Sequence, residues 1–425
     1  MKGKKVYIVG IGGIGNSALA QHFKHEGAEV LGSDRSEQPT TKMLEAAGIT
    51  VLIGHRAAHV PEDASMLVYS VAIPTDNPER VRARELGIPE LTYFEALGKA
   101  SKGKRVIAVA GTHGKTTTTA MIGKILVDAG EDPTIVVGSI AADFHSNYRA
   151  GASNLFVVEA CEYKRDFLTL FPHVLVITNI EFDHTDYYKN LDDVISAFHT
   201  FAEAVEPDGD IVINPHSESV AKAVRGVSNS MHDYTKEEVP ELLLPGEFNR
   251  DNARAAKAAV HRIAPHVANS VIDESLATFR GTWRRFEYKG LLPGGAMLYD
   301  DYAHHPTAIE KTIVATKEKF PNKKVVIFFH PHLYSRTRDL FDDFACSLAL
   351  ADEAYILPVF AAREPHDASV SNEALANAVN KNDGHAQAIS GMEETIEKLK
   401  GLGDDTIAFT MGAGDVYKAG EAALN

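Results

Sequence analysis

The sequence predicts an α/β protein of three domains, each built mainly on a parallel sheet with helices on its faces. Three observations carry this expectation. The chain has 425 residues, more than one ordinary core holds, since domains run to about 100–200 residues. Short apolar runs alternate with helical patterns along most of its length, the signature of βαβ units. The alternation is broken at "GKASKGKR" (98–105) and at "RGTWRRFEYKG" (280–290), which divides the chain into 1–102, 103–281 and 282–425.

In the first segment "KKVYIVGIG" reads as a buried strand, "IGNSALAQHFKHEG" as a helix and "AEVLGSD" as the next strand. "TTKMLEAAGIT", "SMLVYSVAI" and "PERVRARELGI" continue the series. The second segment opens with "RVIAVAGTHGKTTTTAMIGKILVDAG", a strand, a glycine turn and a helix. It runs through "NLFVVEACE" and "HVLVITNIEFDH" as strands, "LDDVISAFHTFAEAV" as a helix and "DGDIVINP" as a strand. Residues 216–244 are the least legible, and "PGEFNRDNARAAKAAVHRIA" is again helical. The third segment alternates "GAMLYDDYAHHP", "AIEKTIVATKEKF", "KKVVIFFHPH", "RDLFDDFACSLALA", "EAYILPVF" and "DTIAFTMGAGD".

Composition narrows the function classes. Apolar content of 44% and charged content of 24% are those of a soluble globular protein. A net charge of −15 disfavours nucleic acid as a partner, so anionic substrates need local Lys, Arg or Mg²⁺. The two cysteines, Cys161 and Cys346, form neither a disulfide framework nor a zinc motif and read as reduced thiols. The N-terminal apolar run is short and glycine-rich, unlike a signal peptide, and no run approaches the ~18 apolar residues of a membrane helix. A cytoplasmic protein with no membrane partner is expected.

Four clusters carry chemistry. Gly10, Gly12, Gly13 and Gly15 fit G-x-G-x-x-G between a strand and a helix, where bare backbone lets N–H groups approach a diphosphate. Asp34 ends the next strand, where a ribose-binding acid is expected. A nicotinamide cofactor or a uridine diphosphate fits this geometry, and so does a tight turn with no ligand. The second cluster is "AGTHGKTT": Gly111 and Gly114 free the backbone to curl around phosphates, Lys115 supplies positive charge and the Thr116 hydroxyl suits Mg²⁺. The usual upstream glycine of a P-loop is absent, its place held by Val109, which implies a tighter loop.

The third cluster gathers Glu159 and Glu162 with Asn179, Glu181, Asp183, His184 and Asp186, at the ends of two strands where ligands of open α/β sheets collect. The fourth is "LYDDYAHHPT" with "FFHPHLYSR". Asp300, Asp301, His304, His305, His330 and His332 lack the spacing of a zinc site. Arg336 and Arg338 suit a carboxylate, or else pair with Asp339, Asp342 or Asp343.

Taken in order, "AGTHGKTTTTAM", "VVEACEYKRDFL", "TNIEFDHTDYY", "GTWRRFEY", "DDYAHHPT" and "PHLYSRTRDLFDDFA" resemble the Mur ligases, as do the N-terminal "GIGGIGNSALA", "GSD" and "SVAIPTDNPE". The resemblance covers all three domains. It implies a Rossmann-like N-terminal domain for a UDP-sugar, a central P-loop ATPase domain and a Rossmann-like C-terminal domain that binds an amino acid and closes on ATP. It further implies ATP-dependent amide bond formation in peptidoglycan biosynthesis, between the carboxylate of UDP-N-acetylmuramate and L-alanine, through an acyl phosphate. The alternative within the family joins the same sugar nucleotide to a tripeptide. That branch shares "AHHPTAI", including Ala308 and Ile309, but not "FHPHLYSRT".

Residue by residue, the resemblance puts Gly10, Gly12, Gly13, Gly15, Asp34 and Ser70 on the UDP-sugar. Gly111, Thr112, His113, Gly114, Lys115, Thr116, Thr117, Asn249, Asn252, Arg285, Asp301 and His304 fall to ATP. Thr116, Glu159 and His184 fall to Mg²⁺, two ions in all, and His332 and Arg336 to the amino acid. Lys115, Glu159 and His184 form the catalytic group, in a monomer or homodimer. Three departures stand out: Phe248 replaces a histidine of the adenine segment, Leu333 stands where some relatives carry arginine, and 210–244 is short enough to lack a small β-element.

Overall fold

The structure, a computed structural model, describes residues 1–362 and 364–425. Its contacts group the chain into two units. The first comprises Met1–Ile180, Ile195–Pro240 and Ala253–Leu276; the second comprises Glu181–Val194, Glu241–Asn252 and Ala277–Asn425. The first unit contains two sheets and the second one.

The first sheet is formed by β1 (Lys5–Val9), β2 (Glu29–Asp34), β3 (Thr50–Ile53), β4 (Met66–Tyr69) and β5 (Glu90–Thr92), in the order β3-β2-β1-β4-β5 and parallel throughout. Helices α1 (Ile14–His25), α2 (Pro39–Ala46), α3 (Pro78–Glu85) and α4 (Tyr93–Ser101) cover it. Both faces of β1 are buried: Val6 and Ile8 enter one core, Tyr7 and Val9 the other. A strand covered on both sides therefore reads as a continuous apolar run. The order reverses beside β1, so the Gly10 turn at its carboxyl end lies at a switch point. The polar run 98–105 is a connection only over 102–104. A capping box of Thr92 and Glu95 starts α4, and buried Ala96 and Leu97 hold it to Ser101.

The second sheet contains β6 (Arg105–Ala110), β7 (Thr134–Ala141), β8 (Ser146–Arg149), β9 (Leu155–Glu159), β10 (Val174–Ile177), β11 (Asp210–Ile213) and β12 (Ser230–Asp233), ordered β12-β11-β10-β6-β9-β7-β8. All pairs are parallel except the edge pair β7–β8. Its helices are α5 (Lys115–Asp128), α6 (Leu191–Glu203), α7 (Glu218–Ala223), α8 (Glu247–Ile263) and α9 (Asn269–Ala277). The illegible stretch folds as α7 and β12, the latter extending the parallel sheet at one edge. Edge strand β8 also packs on α1 of the first sheet: the Asn147 amide donates to the Ile14 carbonyl and to Ser17 Oγ, and Gln21 donates to Asn147 Oδ1 at 3.2 Å.

The second unit holds β13 (Glu287–Leu291), β14 (Met297–Asp301), β15 (Lys324–Phe329), β16 (Glu353–Ile356), β17 (Ala386–Ala388) and β18 (Thr406–Met411), ordered β13-β14-β18-β15-β16-β17, with only β13 antiparallel. Around it lie α10 (Pro306–Lys319), α11 (Tyr334–Asp339), α12 (Phe341–Leu348), α13 (Asn372–Lys381), α14 (Met392–Lys400) and α15 (Tyr417–Ala423). Val325, Ile327 and Phe329 face one core while Val326 and Phe328 face the other. Phe248, at the departure from the family's histidine, packs against this sheet's core beside Gly246 and Ala315. No described helix is long and apolar enough to cross a membrane.

Candidate active site

The first glycine loop is held by backbone and by one acid. The Gly10 and Ile11 N–H groups donate to the Ser33 carbonyl at 2.8 and 2.9 Å, and Gly10 takes a φ of +72°. Asp34 turns inward, accepting the Gly12 N–H at 2.9 Å, and Thr40 Oγ1 donates to the Gly12 carbonyl. Asp34 thus braces the loop, a role its place at a strand end did not announce. Ser70 Cβ lies 3.6 Å from where a Gly10 Cβ would stand, which puts this predicted residue beside the loop. Gly13 caps α1 with no side-chain cap, which leaves the N–H groups of its first turn available to an anion.

The second loop wraps tightly around its own cations and carbonyls. Gly111 adopts φ +135° and packs so close to Thr178 that a Cβ would overlap the Thr178 hydroxyl. Thr178 Oγ1 donates to the His113 carbonyl at 2.6 Å. Asn179 brackets the turn, its carbonyl accepting the Thr112 N–H at 3.0 Å and its Oδ1 the His113 N–H at 2.8 Å. These clamps follow directly on the end of β10. Gly114, at φ +84°, caps α5.

Lys115 is folded over its own loop. Its ammonium donates to the carbonyls of Gly111 and Thr112 and pairs with buried Glu162 at 3.0 Å. Burial opposes the charge, but Glu162, with Cys161 and Glu159, outweighs it and raises the Lys115 pKa. Thr116 Oγ1 donates to Glu159 Oε1 at 3.1 Å, and Glu159 Oε2 accepts the Gly138 N–H at 2.7 Å. Thr116 and Glu159 therefore converge as two hard oxygen donors, which suits Mg²⁺. Thr117 is buried in the first turn of α5, and Thr119 donates to the Lys115 carbonyl at 2.7 Å. Cys161 and Cys346 are free thiols, and burial pushes Cys161 up to about 12.

The second unit contains the remaining predicted residues. His184, at φ +53°, donates its N–H to Asp183 Oδ1 at 2.6 Å. Asp183 is buried against Arg336, whose Nε and Nη2 both lie 2.9 Å from Oδ1. Burial would raise the Asp183 pKa, but Arg336 holds it well below the usual carboxylate range. Arg336 is thus a buried, forked cation on a carboxylate, whereas Arg338 pairs with Asp339, the alternative the sequence left open for both. Arg336 Nη1 lies 3.2 Å from His332 Nδ1, and the His332 ring stacks on Phe360.

His304 Nδ1 donates to the Tyr302 carbonyl at 2.8 Å, and burial with Arg336 keeps the ring neutral. The histidines near the two motifs each engage a different acid: His304 with Asp183, His305 with Glu181, His330 with Asp415. Among the described residues, no group of possible metal ligands brings two of these histidines together.

Asp301 accepts from Thr312 Oγ1 at 2.8 Å and from the Ala303 N–H at 3.1 Å; burial pushes its pKa up to about 6. Arg285 lies over the Tyr302 ring at 4.9 Å. Its neighbour Arg284, unassigned by sequence, is consumed by Asp300 and the Gly412 and Gly414 carbonyls. Asn249 and Asn252 are buried in α8, with the Asn249 amide donating to the Pro245 carbonyl at 2.7 Å. Sequence reasoning left Thr178, Asn147 and Arg284 unassigned, because each acts on a partner far away in the chain.

Two glycine loops at parallel-sheet switch points, with a lysine, a threonine and a carboxylate at the second, define a nucleotide-using α/β enzyme. Comparison with known proteins places it further. Sequence models of the Mur ligase family match along the chain: the family's catalytic domain over residues 5–105, its middle domain over 109–241 and its glutamate ligase domain over 284–414. The chain belongs to the Mur ligase family. It is 40% identical to a UDP-N-acetylmuramate–L-alanine ligase of Clostridium novyi (strain NT), with 99% of this chain and 97% of that protein covered. It is 41% identical to the enzyme of the same name from Desulfitobacterium hafniense (strain Y51), with 99% of each chain covered. Its fold matches the crystal structure of UDP-N-acetylmuramate-alanine ligase MurC from Thermotoga maritima with a TM-score of 0.82, 29% identity and coverage of 99% and 98%.

Proposed function

We propose that this chain joins the carboxylate of UDP-N-acetylmuramate to the amine of L-alanine at the expense of ATP. The observation that carries the reading is full-length identity of about 40% to ligases of that name, in a chain whose phosphate loop pairs Lys115 with Glu162 and Thr116 with Glu159. Residues 1–102 would hold the sugar nucleotide, 103–281 ATP, and 282–425 the amino acid, in the cytoplasm.

A carboxylate oxygen is a poor leaving group, so the acid must be activated before an amine displaces it. One muramoyl carboxylate oxygen attacks the γ-phosphorus of ATP and ADP leaves, which gives an acyl phosphate. The amine of L-alanine then attacks the carbonyl carbon, its proton is lost, and the C–O bond to phosphate breaks. Asn179 holds the Thr112 and His113 N–H groups, so the Gly111–Gly114 loop offers the phosphates its remaining N–H groups at the start of α5, and Lys115 shifts from Glu162 to the transferring group, where charge builds up. Thr116, Glu159 and His184 are the residues to hold Mg²⁺, which when bound offsets charge on the phosphoryl oxygens. Gly10 to Gly15 anchor the diphosphate of the sugar nucleotide, with Asp34 bracing the loop on the uridine side and Ser70 beside it. Asn249, Asn252, Arg285, Asp301 and His304 serve ATP, and His332 with the free edge of Arg336 serves the L-alanine carboxylate.

Purified protein releasing phosphate from ATP only when both UDP-N-acetylmuramate and L-alanine are present is the expected result. Equal release without the sugar nucleotide would refute the reading. Turnover with L-alanyl-D-glutamyl-diaminopimelate but not with L-alanine would assign the chain to the tripeptide branch.

A further inference from the structure

The first glycine loop faces a hydroxyl that its fingerprint does not include. A Cβ on Gly15 would lie 2.7 Å from Tyr93 Cζ and 2.9 and 3.0 Å from the two flanking ring carbons. The hydroxyl-bearing edge of Tyr93 therefore rests on bare backbone in the first turn of α1, where unpaired N–H groups favour anions. The ring is fixed from behind: it meets Phe94 edge-on at 4.7 Å, packs on the core of the first sheet, and opens the capped helix α4.

Among the described residues, the Tyr93 hydroxyl has no hydrogen-bond partner. One position along from Gly15, the buried Asn16 amide donates to the Val9 and Gly10 carbonyls, while its Oδ1 has no partner either. Asn16 Oδ1 is fully buried, and buried polar groups are rarely left unpaired; Tyr93 is half-buried, which leaves its hydroxyl within reach of a ligand on the loop. Burial raises the pKa of the phenol, so it stays protonated and able to donate.

We propose that the Tyr93 hydroxyl donates a hydrogen bond to the diphosphate–sugar part of the bound UDP-N-acetylmuramate, fixing the sugar as it leaves the first glycine loop. This rests on the functional reading above. Calorimetric titration of wild type and Tyr93→Phe with UDP-N-acetylmuramate, UDP and a non-hydrolysable ATP analogue tests it.

One hydrogen bond to a charged group predicts weakening of UDP-N-acetylmuramate binding by about tenfold or more, with ATP-analogue affinity and Tm unchanged. UDP weakened equally supports contact at the diphosphate, and UDP unaffected supports contact at the sugar. Tyr93→Phe binding the sugar nucleotide as tightly as wild type would overturn the proposal. So would equal weakening of both UDP-N-acetylmuramate and the ATP analogue with a lowered Tm, which would make the role structural. Wild type failing to bind UDP-N-acetylmuramate would instead refute the functional reading.

Discussion

Arg336 and Asp183, 153 positions apart, form a buried fork in the second unit, with Nε and Nη2 each 2.9 Å from Oδ1. Removing one partner of such a pair leaves the other charge buried and uncompensated, which costs about 3–5 kcal/mol. Asp183→Ala should therefore lower the unfolding midpoint sharply. The double variant Asp183→Leu/Arg336→Met should recover most of that loss, because two apolar groups replace two ions. Recovery of stability without recovery of L-alanine turnover would separate the fold role of the pair from its site role. A double variant no more stable than Asp183→Ala would mean that the two charges are not coupled.

Lys115 is tied to Glu162 and to its own loop, in a unit that also contains the first glycine loop. Lys115→Ala should reduce kcat by about 10²–10³ or more, the scale for loss of one preorganised charge donor. The dissociation constant for UDP-N-acetylmuramate should stay within about twofold, since that ligand's anchors lie elsewhere. Steady-state kinetics with calorimetry reads both; loss of sugar-nucleotide binding would show that the two loops do not divide the substrates.

His22 on α1 is buried against Tyr148 and Phe156, and burial pushes its imidazole down to about 4 from the usual 6.5. The unfolded chain therefore takes up this proton more readily than the folded one. Stability from the neutral ring is fully present above pH ~6.5 and is lost as pH falls towards 4, by up to about 3 kcal/mol. Scanning calorimetry between pH 4 and 7 should show a Tm that falls with acid. His22→Met should flatten the slope in that window, and an unchanged slope would place the acid sensitivity elsewhere.

Local features were legible in the sequence and distant pairings were not. The loops at Gly10–Gly15 and Gly111–Thr116 sit between a strand and a helix, so a few neighbouring residues define their geometry. The inner strands β1, β6 and β15 are covered on both faces and read as apolar runs. Edge strands β8, β13 and β17 carry mixed polarity, because packing and register rather than their own residues place them. Arg336 was legible as a cation beside a strand end, but Asp183 as its partner was not. Leu333 looks like a substitution within a binding motif; in the fold it is a buried residue at φ +71° that starts α11, a backbone role no composition reports.

The most direct test of carboxylate activation follows the oxygen atoms. UDP-N-acetylmuramate with a heavy-oxygen-labelled carboxylate should be turned over with ATP and L-alanine, and the released phosphate weighed by mass spectrometry. If the carboxylate attacks the γ-phosphorus, one labelled oxygen per turnover appears in inorganic phosphate, and the amide keeps the other. Phosphate released without label, while the amide forms at the same rate, would contradict an acyl phosphate and with it the role assigned to the Lys115 loop.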